Sequence, residues 1–335
     1  MGGKLFNRGR IDRDRYLDIE ADIRTYLDRY LGSDRYRIPR YYGDKPDFGD
    51  LDVIVCLDPG DNWQQIRQTI VNDLGIVEVK AAGSVFSTLY RDFQVDYFTA
   101  PSPYFESTYN YLSFNDLGNL IGKICRRFNL KYGERGLSYV YRYHNGNFQK
   151  EIELTQDFAV ICRLLELDYG KWQAGFANIT EIFEWTIACP YFSIAPYIDR
   201  STSLERRVKE RSTIQSFLDY LDRHQITKKY QYLDNRDDYL PWIAANFPTA
   251  NLLDRIAAAT AAAERSELVK AKFNGEIIMK LLPHLAGKEL GHFIVNFKQQ
   301  FTNFEEFIIV TELHEIERNI LEFARSDRET SSKYN

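Results

Sequence analysis

Apolar residues recur at Tyr16, Ile19, Ile23, Leu27 and Leu31 with charged residues between them, the spacing of one helical face. Gly32 closes the pattern, so a helix is predicted over residues 11–31. The period then changes. Residues 51–57 form an apolar run that reads as a strand, and 62–73 read as a second helix. Residues 78–90 and 93–98 read as two further strands. In the last of these Phe93, Val95 and Tyr97 alternate with Gln94, Asp96 and Phe98, which sets an ionisable side chain mid-strand among apolar neighbours. Pro101 and Pro103 break the chain. One helix is predicted over 111–128, followed by a hairpin within 133–146 and short helices and turns over 155–198. From Leu204 onward the pattern is helical, with breaks near Pro241, Pro248, Pro283 and Gly287. The expectation is an α+β chain in three parts: a short mixed sheet with helices over 1–100, a smaller region over 101–198, and a helical domain over 199–335.

Composition narrows the class. A chain of 335 residues has room for more than one core, and 44% hydrophobic with 27% charged residues is ordinary for a globular protein. The net charge of −5 gives no global basic signature, so any nucleic-acid contact has to come from local patches. Cys56, Cys125, Cys162 and Cys189 are far apart, which excludes a Cys-x-x-Cys zinc site and argues against a disulfide framework. No apolar run approaches the roughly 18 residues of a membrane span. The N-terminus is polar and Arg-rich without an apolar leader core, so a cytoplasmic protein is expected.

The candidate chemistry lies at Gly49-Asp50-Leu51-Asp52, which runs into Val53-Ile54-Val55. In a strand, residues i and i+2 share a face, so Asp50 and Asp52 present their carboxylates side by side. Such a pair repels unless a cation sits between. With 48 acidic residues in 335 positions, about seven acidic-x-acidic pairs arise by chance, so the pair alone decides little. Its context decides more: a glycine before it, a strand after it, and Asp96 on a later strand. Three carboxylates on two adjacent strands can bracket two hard divalent ions, Mg²⁺ or in its place Mn²⁺. The five histidines show no ligand spacing.

The arrangement Gly-Asp-x-Asp-strand followed by Phe93-Gln94-Val95-Asp96-Tyr97-Phe98 resembles the DNA polymerase β nucleotidyltransferase superfamily. The segment Tyr111-Leu112-Ser113-Phe114-Asn115-Asp116-Leu117-Gly118-Asn119 is similar to the family X stretch that begins Tyr-Phe-Thr-Gly-Ser. Residues 130–137 resemble its Leu-Asn-Glu-Tyr-Gly-Leu segment, and 180–192 its closing Glu-Glu-hydrophobic-Phe … Leu-Pro-Tyr element. The likeness covers about residues 35–195. It implies a nucleotidyltransferase palm with a thumb-like region over 101–198. Catalysis would fall to Asp50, Asp52 and Asp96, all three binding metal, with Gly49 beside them as a nucleotide-binding residue. Tyr111, Asp116, Asn119 and Lys123 fall where the family holds the incoming nucleotide and nascent base pair. In place of the family's phosphate-binding Gly-Ser pair stands Pro39-Arg40; Arg40, with Lys45, is the expected triphosphate contact, since guanidinium binds phosphate as a fork. Gly32-Ser33 lies too far upstream for that place. No helix-hairpin-helix or lyase-type N-terminal segment is visible, so a gap-filling repair role is not expected.

Basic and aromatic residues interleave next: Lys123, Arg126, Arg127, Lys131, Arg135 and Arg142 among Phe128, Tyr132, Tyr139, Tyr141 and Tyr143. Cations pair with phosphates while aromatic faces stack on bases, so Arg126, Arg127, Lys131 and Arg135 are the candidate nucleic-acid contacts; the competing reading is a solvated helix and hairpin. Residues 206–211 read as a charged helix face. Further on, Phe273-Asn274-Gly275-Glu276 … Gly287-Lys288-Glu289-Leu290-Gly291 is similar to the helical tails of bacterial-type CCA-adding enzymes and poly(A) polymerases, with Glu276 where those have Asp. These likenesses imply transfer of a nucleoside monophosphate from an NTP to a nucleic-acid 3′ hydroxyl, with tRNA-like RNA favoured and no membrane partner. A family X-like DNA polymerase, a transferase acting on a protein or small molecule, and a catalytically inert binding module stay open as alternatives.

Overall fold

The computed structural model describes residues 5–82, 85–144, 148–198 and 212–332. The first predicted helix is preceded by a two-residue strand, β1 (Ile11–Asp12), and runs as α1 (Arg13–Tyr30). Asp12 caps it by accepting the Arg15 N–H at 2.9 Å. At the other end the N–H groups of Leu31 and Gly32 both reach the Leu27 carbonyl. Gly32 does so at a φ of +94°, a conformation that side chains resist.

The chain continues through β2 (Tyr36–Arg37), β3 (Asp47–Phe48), β4 (Leu51–Leu57), α2 (Trp63–Asp73), β5 (Val79–Ala82), β6 (Val85–Tyr90) and β7 (Phe93–Pro101). Five of these strands form one mixed sheet in the order β2-β4-β7-β6-β5, so the expected α+β class is found. β4 and β7 are parallel; the other neighbours are antiparallel. The stretch 78–90, read from sequence as a single strand, is the antiparallel pair β5–β6. Gly83-Ser84, between the two arms in sequence, is a two-residue hairpin signal that a single-strand reading of 78–90 passes over.

β4 is covered on both faces, which is why its sequence does not alternate. Leu51, Val53 and Val55 join Phe93, Val95 and Tyr97 of β7 and Ile19, Ile23 and Leu27 of α1 in one core, with Ile70 of α2. Each such aliphatic burial contributes about 1.5–3 kcal/mol. Together they fix the register, because a one-residue slip of β4 and β7 would turn Asp52 and Asp96 into that core. On the opposite face Ile54, Cys56 and Ala100 pack on Phe105. Asp52 and Asp96 share this second face, outside that apolar patch.

The helix predicted over 111–128 is two helices, α3 (Phe105–Leu112) and α4 (Leu117–Cys125). Phe114 and Asn115 take φ values of +61° and +60° at the corner between them. Phe114 is 1% exposed, so the apolar period ran on through a corner that is itself core. Gly118 lets α4 approach α3, since a Cβ there would lie 2.4 Å from the Tyr111 carbonyl oxygen. Strands β8 (Leu130–Gly133), β9 (Gly136–Tyr143) and β10 (Phe148–Thr155) make a second sheet, ordered β10-β9-β8. The predicted hairpin starts one strand earlier than expected, with β8 and β9 paired antiparallel. Helices α5 (Phe158–Leu164), α6 (Tyr169–Ala174), α7 (Ile179–Ala188) and α8 (Ala195–Ile198) follow.

Residues 199–211, which include the charged face at 206–211, lie outside the described residues. The remaining helices are α9 (Ser212–Arg223), α10 (Leu240–Asn246), α11 (Leu252–Lys272), α12 (Gly275–Leu281), α13 (Gly287–Lys298), α14 (Phe304–Val310) and α15 (Leu313–Ser332). The chain divides into two compact units: residues 1–141 with 151–252, and 142–150 with 253–335. The second unit has its own core, in which Phe273, Ile278, Phe293, Phe297, Ile308, Ile316 and Ile320 are buried. Among the described residues, no helix is long and apolar enough to cross a membrane.

Candidate metal centre

Asp52 and Asp96 are direct partners across the parallel β4–β7 pair, and Asp50 stands one residue before β4. One carboxylate oxygen from each of Asp50, Asp52 and Asp96 lies within 4.8 Å of the other two. Asp96 is buried; Asp50 and Asp52 are half-buried. This crowding is unfavourable for charge. Burial pushes the Asp52 carboxyl well above the usual carboxylate range, and the Asp50 and Asp96 charges push it further. Asp50 is raised by burial and then by Asp96, against Lys45 and Arg10. Asp96 is raised by burial, opposed by hydrogen bonds from Ser87 and Gln94. An oxygen-only donor set at this spacing fits a hard divalent cation such as Mg²⁺ or Mn²⁺.

Lys45 is the ammonium that both Asp50 and Asp52 feel. Burial lowers its pKa and those two carboxylates oppose the shift. Its Nζ lies 4.4 Å above the Phe48 ring and donates to Asn115 Oδ1 at 3.2 Å. The centre is thereby tied to the corner between α3 and α4. Phe48 stacks in turn on Tyr16, with ring centroids 3.6 Å apart.

In the sequence Gln94 stands only as part of the alternation, and the structure gives it a second role. It is 4% exposed, and its Nε2 donates to both oxygens of Asp96, at 3.0 and 2.8 Å. Its Oε1 accepts the Leu5 N–H. A period of two already placed Gln94 on the Asp96 face, so that signal was present. Ser87 pairs with Asp96 across β6–β7, and no local pattern announces that register. Arg10, bonded to Asp47 at 2.8 Å, is a further cation near the carboxylates that the sequence did not single out. Gln94→Leu is expected to weaken divalent-cation binding about 10- to 100-fold by freeing the Asp96 carboxylate, with an unchanged far-UV CD spectrum. Isothermal titration with Mg²⁺ and Mn²⁺ measures it.

The other candidate residues divide. Asp116, Asn119 and Lys123 lie at or on α4 with i, i+3 and i+7 spacing, which puts them on one face. Asn119 Nδ2 donates to Asp116 Oδ1 at 3.0 Å, and Lys123 Nζ donates to the Pro196 carbonyl at 2.9 Å. Tyr111, in the last turn of α3, meets Tyr132 edge-on at 5.4 Å. Gly49 directly precedes Asp50. Arg40 is drawn to α6: its guanidinium lies 4.8 Å from the Phe114 ring centroid and 5.3 Å from that of Trp172. One of its terminal nitrogens donates to the Trp172 carbonyl at 2.9 Å. The Arg40 backbone is stitched to the same corner as Lys45, its N–H donating to Ser113 Oγ and its carbonyl accepting from Phe114.

The basic–aromatic stretch is largely self-contained. Phe128, Tyr132 and Tyr139 are buried, so they are core residues and not faces offered to bases. Phe128 sits among Tyr191, Tyr230, Tyr232, Tyr239 and Trp242. Lys131 pairs with Glu151 at 2.6 Å, Arg127 lies over Tyr232, and Arg135 lies over Tyr104. Arg126 is exposed at the C-cap of α4.

No protein-family model and no curated protein matches the chain. Among solved structures it is similar to Leishmania infantum polymerase beta in a ternary gap complex, at 14% identity and a TM-score of 0.33, over 40% of this chain and 52% of that one. It is similar also to the same polymerase in a ternary P/T complex, at 14% identity and a TM-score of 0.33, over 42% of this chain and 62% of that one. The chain thus spans little more than half the length of the first of these structures.

Proposed function

We propose that the chain is a divalent-cation-dependent nucleotidyltransferase. It moves a nucleoside monophosphate from an NTP to the 3′ hydroxyl of a nucleic acid and releases pyrophosphate. The observation that carries this reading is the convergence of Asp50, Asp52 and Asp96 within 4.8 Å on one face of a mixed sheet, beside the half-buried Lys45. Asp50, Asp52 and Asp96 would hold two Mg²⁺ ions. Bound there, the ions supply charge neutralisation at the triphosphate and a lowered pKa at the attacking hydroxyl. The protein's own groups do the rest. Lys45 and Arg10 meet the triphosphate oxygens. Tyr111 and Asn119 pack against sugar and base, with Asp116 orienting Asn119 through the 3.0 Å bond. Asp96, held by Gln94 and Ser87, receives the proton of the 3′ hydroxyl. The 3′ oxygen bonds to the α-phosphorus as the bond from that phosphorus to the pyrophosphate bridging oxygen breaks.

RNA is the favoured acceptor because of the Gly275 … Gly291 segment, which lies on α12 and α13. The acceptor is tested by offering α-phosphate-labelled NTPs and dNTPs with tRNA, single-stranded RNA and primed DNA template. Label at RNA 3′ ends is expected. Incorporation of dNTPs alone on primed template assigns a DNA polymerase instead, and label on neither overturns nucleic acid as the acceptor.

A further inference from the structure

Arg40 leaves the expected phosphate site for a cavity of about 510 Å³, within the size range of small-molecule sites. One wall is aromatic: Tyr169 and Trp172 lie nearly parallel, 11° apart with centroids at 5.9 Å, and Phe158 leans on Trp172 at 4.9 Å. The Trp172 indole N–H is buried and has no acceptor in the structure, an unmet donor within that wall. Around the wall stand the carboxamides of Asn110, Gln156 and Gln173, which can each donate and accept at a ring edge. Glu106 and Asp157 add two carboxylates against the single guanidinium of Arg40. Much of that charge is already committed. Arg40 donates to the Trp172 carbonyl, Glu106 pairs with Arg37 at 3.2 Å, and Asp157 caps α5. The cavity is therefore a poor place for a phosphate. It is a good one for a planar heteroaromatic ring with amino and carbonyl groups on its edge.

We infer that this cavity is a nucleobase site, distinct from the carboxylate centre, in which a base stacks on the half-buried Tyr169 ring, backed by the buried Trp172 and Phe158. The base comes either from a free nucleoside or from a single-stranded nucleic-acid end. Only the second source rests on the proposed transfer reaction; recognition of the ring does not. The site and the metal centre share one corner, since the Arg40 backbone bonds to Ser113 and Phe114 while Lys45 bonds to Asn115.

Binding is measured on the full chain in EDTA, by quenching of tryptophan fluorescence with adenosine, guanosine, cytidine and uridine, with ribose as control. The wild type is expected to bind at least one nucleoside and not ribose. Tyr169→Ser is expected to weaken binding about 10-fold or more, Tyr169→Phe to retain it, and Asn110→Phe, which fills the cavity from another side, to block it. Asp52→Asn is expected to leave nucleoside binding unchanged. Equal quenching by ribose overturns the inference, as does binding that survives both Tyr169→Ser and Asn110→Phe in folded protein. Loss of binding in Asp52→Asn would move the base to the metal centre and overturns it too. Competition by a single-stranded RNA hexamer assigns the strand-end source, and lack of competition the free nucleoside. Nucleoside binding without any nucleotidyl transfer would leave this site standing and remove only the proposed reaction.

Discussion

Asp52→Asn and Asp96→Asn are each expected to reduce nucleotidyl transfer by about 10³-fold or more, with no loss of folded structure. The expectation follows from where the carboxylates sit. Asp52 and Asp96 are register partners on two strands whose opposite faces form the core around Val53, Val55, Val95 and Tyr97. Removing one charge from the carboxylate face leaves that core intact. The same change has a second, opposite consequence. Asp52 is raised by burial and by two like charges, so its ionised form is destabilising in the metal-free protein. Asp52→Asn is therefore expected to melt a few degrees higher than the wild type in EDTA at neutral pH. Higher stability with lost transfer separates a functional carboxylate from a structural one, whose loss would lower both. Transfer of α-phosphate label and thermal melting on the same preparations give the two readouts.

Divalent cations are expected to raise the melting temperature, and to raise it more as pH increases. A ligand that binds only the folded state, present at a hundred times its Kd, contributes about 2.7 kcal/mol. The pH dependence has a definite sign. Asp50, Asp52 and Asp96 all titrate above the ordinary value of 3.8 in the folded protein. The folded state thus holds these protons more tightly than the unfolded chain. Their contribution to stability is fully present below the unfolded value and is lost as pH rises through the higher folded values. In EDTA this lowers stability between the ordinary carboxylate range and neutrality. With Mg²⁺ the loss is offset, because the ionised set is the one that binds. The difference between the two melting curves is the readout, since it cancels the many other carboxylates. It should widen from pH 4.5 to 7.5 in the wild type and stay near zero in Asp52→Asn. A constant gap across that range would remove the triad as the cation site.

Legibility from sequence tracked how local each determinant is. The helix α1, the strand β4 and the mid-strand position of Asp96 follow from a period of 3.6, an unbroken apolar run and an alternation of two, each within a few residues. The adjacency of β4 and β7, on which the metal centre depends, is supposed when the three carboxylates are read as one set, and it is present as a parallel pair. The corner at Phe114–Asn115 was missed because a buried phenylalanine continues the apolar period through a change of direction. The β5–β6 reversal is legible only in the Gly83-Ser84 dipeptide, which the single-strand reading of 78–90 passes over. The phosphate role expected of Arg40 comes from the resemblance alone, through its place where the family has a Gly-Ser pair. The partners of Arg40, Phe114 and Trp172, come from 74 and 132 positions downstream, beyond any local reading. The basic–aromatic stretch shows the limit from the other side, for Phe128, Tyr132 and Tyr139 are spaced as a stacking surface would be and are buried as core.

One reaction at one set of carboxylates is read out by pyrophosphate release. Wild type, Asp52→Asn and Asp96→Asn are assayed with NTP and an RNA acceptor, in Mg²⁺ and in EDTA. Release is expected from the wild type, and in Mg²⁺ alone. Release at the wild-type rate by either variant, or undiminished release in EDTA, would remove the carboxylates from the reaction.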